Sequence, residues 1–162
     1  MASRRPDLRT LQIRPARPED RKFILALAER PAESGMPPWR DAAAMRAFHQ
    51  HYAGANANAG GFHERVQIAE SGRGAPLGFV HVNEIADGLT GVPEGYVSTL
   101  AVSSTAEGQG VGRALMVAAE DWARDRGYRL LTLETFAAND RARAFYRRLG
   151  YVEETLKLVN EQ

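Results

Sequence analysis

The spacing of apolar residues changes repeatedly along this chain, and each change marks an element. In LRTLQIRPA (8–16), Leu8, Leu11 and Ile13 stand between polar residues, which predicts a strand. RPEDRKFILALAER (17–30) takes helical spacing. Pro18 sits near its first position, and Glu19 and Asp20 place negative charge where the helix dipole is positive. PAESGMPPW (31–39), with three prolines and a glycine, reads as a loop. DAAAMRAFHQHY (41–52) is a second helix with Asp41 as its N-cap, and AGANANAGG (53–61) is a flexible turn.

Strand spacing follows. ERVQIAES (64–71) and APLGFVHVNEI (75–85) flank GRG (72–74) as a hairpin. ADGLTGVPEG (86–95) is a loop, and YVSTLAV (96–102) is a largely apolar, β-branched strand. A helix is expected from about residue 108 to Arg126, closed by Gly127. YRLLTLETF (128–136) is a strand, NDRARAFYRRLG (139–150) a short helix, and YVEETLKLV (151–159) a last strand. The order β-α-α-β-β-β-α-β-α-β predicts an α/β mixed sheet. Residues 96–136 should form a right-handed parallel crossover, and the earlier strands should pair as antiparallel hairpins.

Composition narrows the choice of function. A chain of 162 residues, 44% apolar and 25% charged, suits one globular domain over 1–162, with residues 1–7 frayed. A formal net charge of +1 gives no reason to expect a nucleic-acid partner. The absence of cysteine removes disulfides, thiolate nucleophiles and Cys-ligated metal. MASRRPDLRT is not followed by an apolar leader core, and no apolar run approaches the ~20 residues that span a bilayer. The expectation is a cytoplasmic protein with no membrane partner.

EGQGVGRA (107–114) changes the picture most. Gly108, Gly110 and Gly112 fall between a strand and a helix, although each costs about 1 kcal/mol relative to alanine inside a helix. The first N–H groups of a helix lack partners and, with the dipole, attract anions. Glycine lets a large anion come close to that backbone. The loop therefore reads as a phosphate cradle; a plain tight turn is the competing reading. G-x-G-x-x-G fails, because Leu115 or Arg113 stands where its last glycine is required, and no G-x-x-x-x-G-K-[ST] occurs.

With these residues in view, STLAVSSTAEGQGVGRALM (98–116) resembles the acyl-CoA-binding motif of the GCN5-related N-acetyltransferases, Arg/Gln-x-x-Gly-x-Gly/Ala after a strand. NDRARAFYRRLGY resembles the family's second signature, with Asn139, Ala142, Phe145, Tyr146, Gly150 and Tyr151 in register. One position departs: Glu107 stands where the signature takes Arg or Gln. The likeness covers about residues 8–159, by element order alone in its first half. It implies the GNAT fold and an acetyl-CoA-dependent N-acetyltransferase acting on a small-molecule amine or a peptide. Acetyl-CoA is then a co-substrate, and attack is direct within a ternary complex.

The resemblance also implies roles for particular residues. The strand 96–102 should splay from 128–136, with the pantetheine arm paired to backbone around Leu100, Ala101 and Val102. Pyrophosphate should rest on Gly108, Gln109, Gly110, Val111, Gly112 and Arg113. Asn139 should hydrogen-bond the cofactor, and Tyr146 should protonate the leaving thiolate. Arg113 either contacts phosphate or sits solvated; Arg141, Arg143, Arg147 and Arg148 carry the same choice toward a 3′-phosphate. The place of the family's early-strand glutamate falls on Tyr96. Glu94 is therefore the leading general base, followed by Glu134 and then His81, whose ordinary pKa of about 6.5 suits the task.

Trp39, Phe48 and Tyr52 are candidate lining of an acceptor wall, and no acidic cluster calls for a polyamine or an aminoglycoside. His49 and His51 point to different helix faces and His63 stands alone, so no metal site is expected. A short C-terminal region suggests a homodimer that covers a sheet edge. A non-catalytic acyl-CoA sensor is the alternative function, and an unrelated phosphate-binding protein a third.

Overall fold

The computed structural model describes residues 10–28, 30, 35–56 and 60–162. The expected frayed start, Leu8 of the first strand, and residues 31–34 and 57–59 of the two loops lie outside them. The elements are β1 (Gln12–Pro15), a 3-10 turn (Pro18–Asp20) leading into α1 (Arg21–Ala28), α2 (Ala42–Asn56), β2 (Glu64–Glu70), β3 (Pro76–Ala86) and β4 (Pro93–Val102). A second 3-10 turn (Ser104–Ala106), α3 (Val111–Asp125), β5 (Leu131–Thr132) and α4 (Asp140–Arg148) follow.

The five strands form one sheet in the order β1-β2-β3-β4-β5. The first three pairings are antiparallel, and β4 with β5 is parallel. Both faces are covered, as a mixed α/β sheet requires. On one face Leu115, Met116, Ala119 and Trp122 of α3 pack on Val80, Val82 and Val97. On the other, Ile24, Leu27 and Ala53 from α1 and α2 pack on Val66, Ile68, Phe79 and Ala101. Local signals behave as expected at several ends. Asp41 Oδ1 accepts from the N–H groups of Ala43 and Ala44 at 2.8 and 3.0 Å, capping α2. Gly127 has φ +74° and closes α3.

Four boundaries differ from expectation. β4 starts at Pro93, because Pro93 and Glu94 continue the ladder opposite Ala86 and Ile85, and proline is tolerated as a strand's first residue. α2 runs on to Asn56. α3 starts at Val111, because Gly108 and Gly110 are left-handed. The strand expected over 128–136 pairs only through Leu131 and Thr132.

The last expected strand, 151–159, is absent, and residues 151–162 hold no regular structure. A strand needs an edge beside it, and Glu153 is drawn back onto α4 by Arg143 (2.7 Å) and Arg147 (3.3 Å). Val152, Leu156, Leu158 and Val159 are left exposed.

One ion cluster ties the N-terminal edge together. Arg14 of β1 grips both Asp20 oxygens, at 2.6 and 2.9 Å, and donates through Nε to Glu70 of β2 at 2.6 Å. Asp20 is only 4% exposed. The Arg14 guanidinium holds its carboxyl below the usual aspartate range, aided by the Arg17 N–H and opposed by burial. Arg14→Gln should therefore lower unfolding stability by about 3 kcal/mol in urea melts at pH 7, because it strands a buried carboxylate. In the parent, Asp20's contribution is complete above about pH 4 and is lost as pH falls through its depressed folded-state value. The variant should lack that part of the acid dependence.

Candidate functional site

The three glycines of the 107–114 loop serve two purposes. Gly108 and Gly110 have φ of +71° and +85°, a region that side chains with a Cβ rarely adopt. An added Cβ at either would meet nothing within 4 Å, so the space beside the turn is open. Gly112 is helical, and a Cβ there would come within 3.3 Å of the Phe145 ring. It lets α4 lie against α3. The N–H of Ala114 is the first to bond back, to Gly110 O at 3.0 Å. The N–H groups of Val111, Gly112 and Arg113 thus stand at the exposed start of a 15-residue helix. Val111 offers only its backbone, since its side chain is buried, and Arg113 is exposed. Gln109 Nε2 donates to Thr105 O at 2.6 Å, bracing the loop from within.

β4 and β5 are paired only at Gly95–Leu131 and Tyr96–Thr132, and then part. At the same point β4 bulges: His81 faces Thr99 and Val82 faces Val97, leaving Ser98 as the extra residue. Ser103 N–H donates to Leu77 O at 2.8 Å. Alternation along an antiparallel ladder then turns the peptide groups of Ala101 to β3, and those of Leu100 and Val102 to the open side. Of the three residues singled out in sequence, Leu100 and Val102 line the opening with main chain. Ala101 instead gives its methyl group to the α1–α2 core.

α4 brings two further residues. Asn139 caps it, with Oδ1 accepting from Ala142 N–H at 3.1 Å, which leaves the side-chain NH2 for another partner. Gly35 presses on this cap so closely that a Cβ would lie 2.5 Å from Asn139 N. Tyr146 packs edge-on to Phe145 and Tyr151, with ring centroids 5.1 and 5.8 Å away, and burial pushes its phenol up to about 12. Glu107 bridges Arg30 (2.7 Å) and Arg141 (2.6 Å), which together pull its carboxyl below the usual range against a smaller effect of burial.

The three candidate bases are dispersed over the α2 side of the sheet. Glu94 is 8% exposed and accepts from Thr132 Oγ1 at 2.8 Å, where the strands are still joined. Glu134 is exposed but near enough to Tyr96 to raise its phenol's pKa, after burial and ahead of Tyr52. His81 is 3% exposed, with Nε2 2.6 Å from Glu64 Oε1 and the Tyr52 ring at 5.4 Å. Burial lowers its pKa and Glu64 opposes this, so the imidazole is neutral near pH 7 and donates to the carboxylate.

Sequence reasoning missed Glu64, Ser98 and Asn83. Tyr52 Oη donates to Ser98 Oγ at 3.3 Å, and Ser98 Oγ donates to Asn83 Oδ1. The hairpin register could have found Glu64, which lies diagonal to His81 across β2 and β3. Nothing in the sequence marks the bulge. His63 lies elsewhere, beside Glu84 at 3.0 Å. Among the described residues no three His, Cys, Asp or Glu are grouped to hold a metal.

A family model described as the acetyltransferase (GNAT) family matches residues 24–151. The chain belongs to that family. The aminoglycoside N(6')-acetyltransferase type 1 of Stenotrophomonas maltophilia is 33% identical over 97 residues, covering 58% of this GNAT chain and 63% of that relative, just under two thirds of its length. A Pyrococcus furiosus protein described as an acetyl transferase superposes with TM-score 0.75 at 23% identity, over 94% of this chain and 99% of that one. AAC(6')-Iy in complex with the bisubstrate analogue CoA-S-monomethyl-acetylneamine gives 0.66 at 19%, over 94% and 98%. These likenesses show the fold, with its mixed sheet and flanking helices.

The backbone of the glycine loop makes its own prediction. Gly110→Ala should cost about 1–2 kcal/mol of stability in urea melts, because the left-handed turn penalises any Cβ even in open space. Equal stability of variant and parent would mean that the turn is not left-handed in solution.

Proposed function

We propose that this GNAT protein is an N-acetyltransferase that moves the acetyl group of acetyl-CoA to a primary amine by direct attack in a ternary complex. The observation that carries the reading is the parting of β4 from β5 after Tyr96, with the amides of Val111 to Arg113 beyond its far end. Leu100 turns its main-chain groups into the opening and Val102 its N–H, the Val102 carbonyl being taken by Arg30, and the pantetheine amides would pair there as an added strand does. Pyrophosphate would rest on the Gly108–Arg113 amides and the adenosine end near Asn139. The residues present suit that ligand: open space beside two left-handed glycines, unpaired helix amides, and guanidinium groups at hand.

The amine lone pair attacks the thioester carbonyl carbon, the C–N bond forms, the C–S bond breaks, and the amine gives up a proton. We place the acceptor of that proton at His81, backed by Glu64, ahead of Glu94, which lies before the opening and is held by Thr132. His81 faces Thr99 at the bulge where the opening begins. Tyr146 has a different part from the one its motif suggests. A phenol near 12 keeps its proton beside a thiolate whose conjugate acid has a pKa of about 8.5, so it hydrogen-bonds the leaving sulfur without giving up its proton.

For the acceptor we propose a cationic small-molecule amine. The stacked Phe48 and Tyr52 rings (6.1 Å), exposed Trp39, and the carboxylates of Glu64 and Glu134 support this, as does the aminoglycoside relative. No helix among the described residues is long and apolar enough to cross a membrane; we place the protein in the cytoplasm. We also propose a homodimer, in which the exposed tail apolar residues cover the open edge of β5 in a second copy.

Free thiol released from acetyl-CoA in the presence of a panel of amines tests the activity. Binding without release across the panel would favour the sensor reading instead. Tyr146→Phe should lower kcat at least tenfold with little change in acetyl-CoA affinity; unchanged kcat would remove its role. The kcat/KM profile should rise as His81 loses its proton below about pH 6.5 and level off above. His81→Gln should remove that limb and about 10²–10⁴ of the rate. The 17.8 kDa chain should sediment as a dimer, and the pair Leu156→Asp with Leu158→Asp as a monomer. A monomeric parent at micromolar concentration would dismiss the edge contact.

A further inference from the structure

Glu107 is the one position at which the loop departs from the family signature, and its surroundings give the departure a use. Oε1 receives Arg30 Nη2 at 2.7 Å, and Oε2 receives Arg141 Nη2 at 2.6 Å. Arg30 also donates through Nη1 to Val102 O at 2.6 Å, across the end of β4. One carboxylate thus joins three separate regions: the residue that follows α1 by two, the glycine loop, and the first turn of α4. It stands immediately before Gly108, the first left-handed residue of the turn.

Two other cations of α4 are committed elsewhere. Arg143 donates to Glu153 at 2.7 Å and to Ala137 O at 2.9 Å, and Arg147 donates to Glu153 at 3.3 Å. α4 therefore turns Arg143 and Arg147 toward the tail and Arg141 toward the loop. Two guanidinium groups repel each other, and a carboxylate between them lets both stay in one place while a net positive charge remains. Each guanidinium carries five N–H donors, of which Arg30 uses two nitrogens and Arg141 one in these contacts. The rest are available in planar arrays that suit phosphate oxygens. A long side chain already held in place loses less freedom when it meets a ligand.

We propose that Glu107 is a positioning residue for phosphate binding, whose carboxylate holds Arg30 and Arg141 together at the start of α3 as a paired clamp for the phosphate groups of acyl-CoA. The proposal rests on the acyl-CoA reading above. It has a counterintuitive consequence. Simple charge repulsion says that removing a carboxylate beside phosphates tightens binding; a positioning role says that it weakens binding.

Calorimetric titration of the full chain with coenzyme A separates the two. Glu107→Gln should raise the dissociation constant about tenfold at low salt. Arg141→Gln should do the same, and the double variant should be little worse than either single one, because both break one unit. The dependence of log Kd on log salt should become shallower in each variant.

A Glu107→Gln constant equal to or below that of the parent would overturn the clamp while leaving the acyl-CoA reading intact. A parent that binds no coenzyme A would remove both. Should Glu107→Gln fail to fold, Arg141→Gln alone decides. Its side chain is 77% exposed, so the fold does not depend on it, and an unchanged constant there overturns the proposal.

Discussion

Two parallel strands that separate after a pair of residues leave main-chain groups without partners, and this organises the rest of the molecule. Backbone N–H and C=O groups must be satisfied by chain, water or ligand. β4 remains hydrogen-bonded to β3 along its length, so it cannot follow β5 or collapse into the gap. The bulge at Ser98 adds the local bend that a parting strand needs, and Glu94 with Thr132 holds the last joined point. α3 and the Arg30 guanidinium then converge on the far end of the opening. Even without ligand the chain supplies a donor there: Arg30 takes the Val102 carbonyl.

Charge is distributed unevenly around this opening. At the outer end, the guanidinium groups of Arg30 and Arg141 meet on Glu107 beside the helix amides, where the proposal puts the polyanion. On the α2 side, carboxylates and aromatic rings dominate, with a neutral imidazole between them. A dinegative pyrophosphate and an ammonium acceptor would thus approach from regions of opposite sign, which orders both before any bond changes. The aromatic pair Phe48–Tyr52 leads from the surface to His81, so in the proposed complex the acceptor's apolar portion and its amine would meet the same helix segment.

What was legible in the sequence was local. The glycine turn, Asp41 as a cap and the β2–β3 hairpin each depend on a few neighbouring residues, and each is present. The turn reading and the cradle reading also prove compatible, since Gly108 and Gly110 are required by backbone angle and still leave open space. What was not legible joins distant residues. Glu107 looked like a liability beside phosphate until Arg30 and Arg141 were seen on it, 77 and 34 positions away. The Glu64 partner of His81 and the bulge beside it likewise join residues that the linear order keeps apart. The missing last strand has the same origin: alternation in 151–159 says that a segment could pair, and says nothing about whether an edge is beside it.

The Tyr146 phenol shows how burial redirects a familiar role. An acid that delivers a proton must be matched to its acceptor, and matching fails when burial lifts the donor several units above the thiol. The same burial strengthens a hydrogen bond from that phenol to a developing thiolate, because charge in a poorly solvated site gains more from each donor. Phe145 and Tyr151 pack edge-on to the ring, and Phe145 in turn lies against Gly112 of α3. On that proposal the tyrosine would act as a fixed dipole toward the leaving sulfur. In the proposed reaction the leaving group would depart as an anion, and the proton released by the amine would pass to His81 and Glu64 on the opposite side of the sheet, without having to meet it.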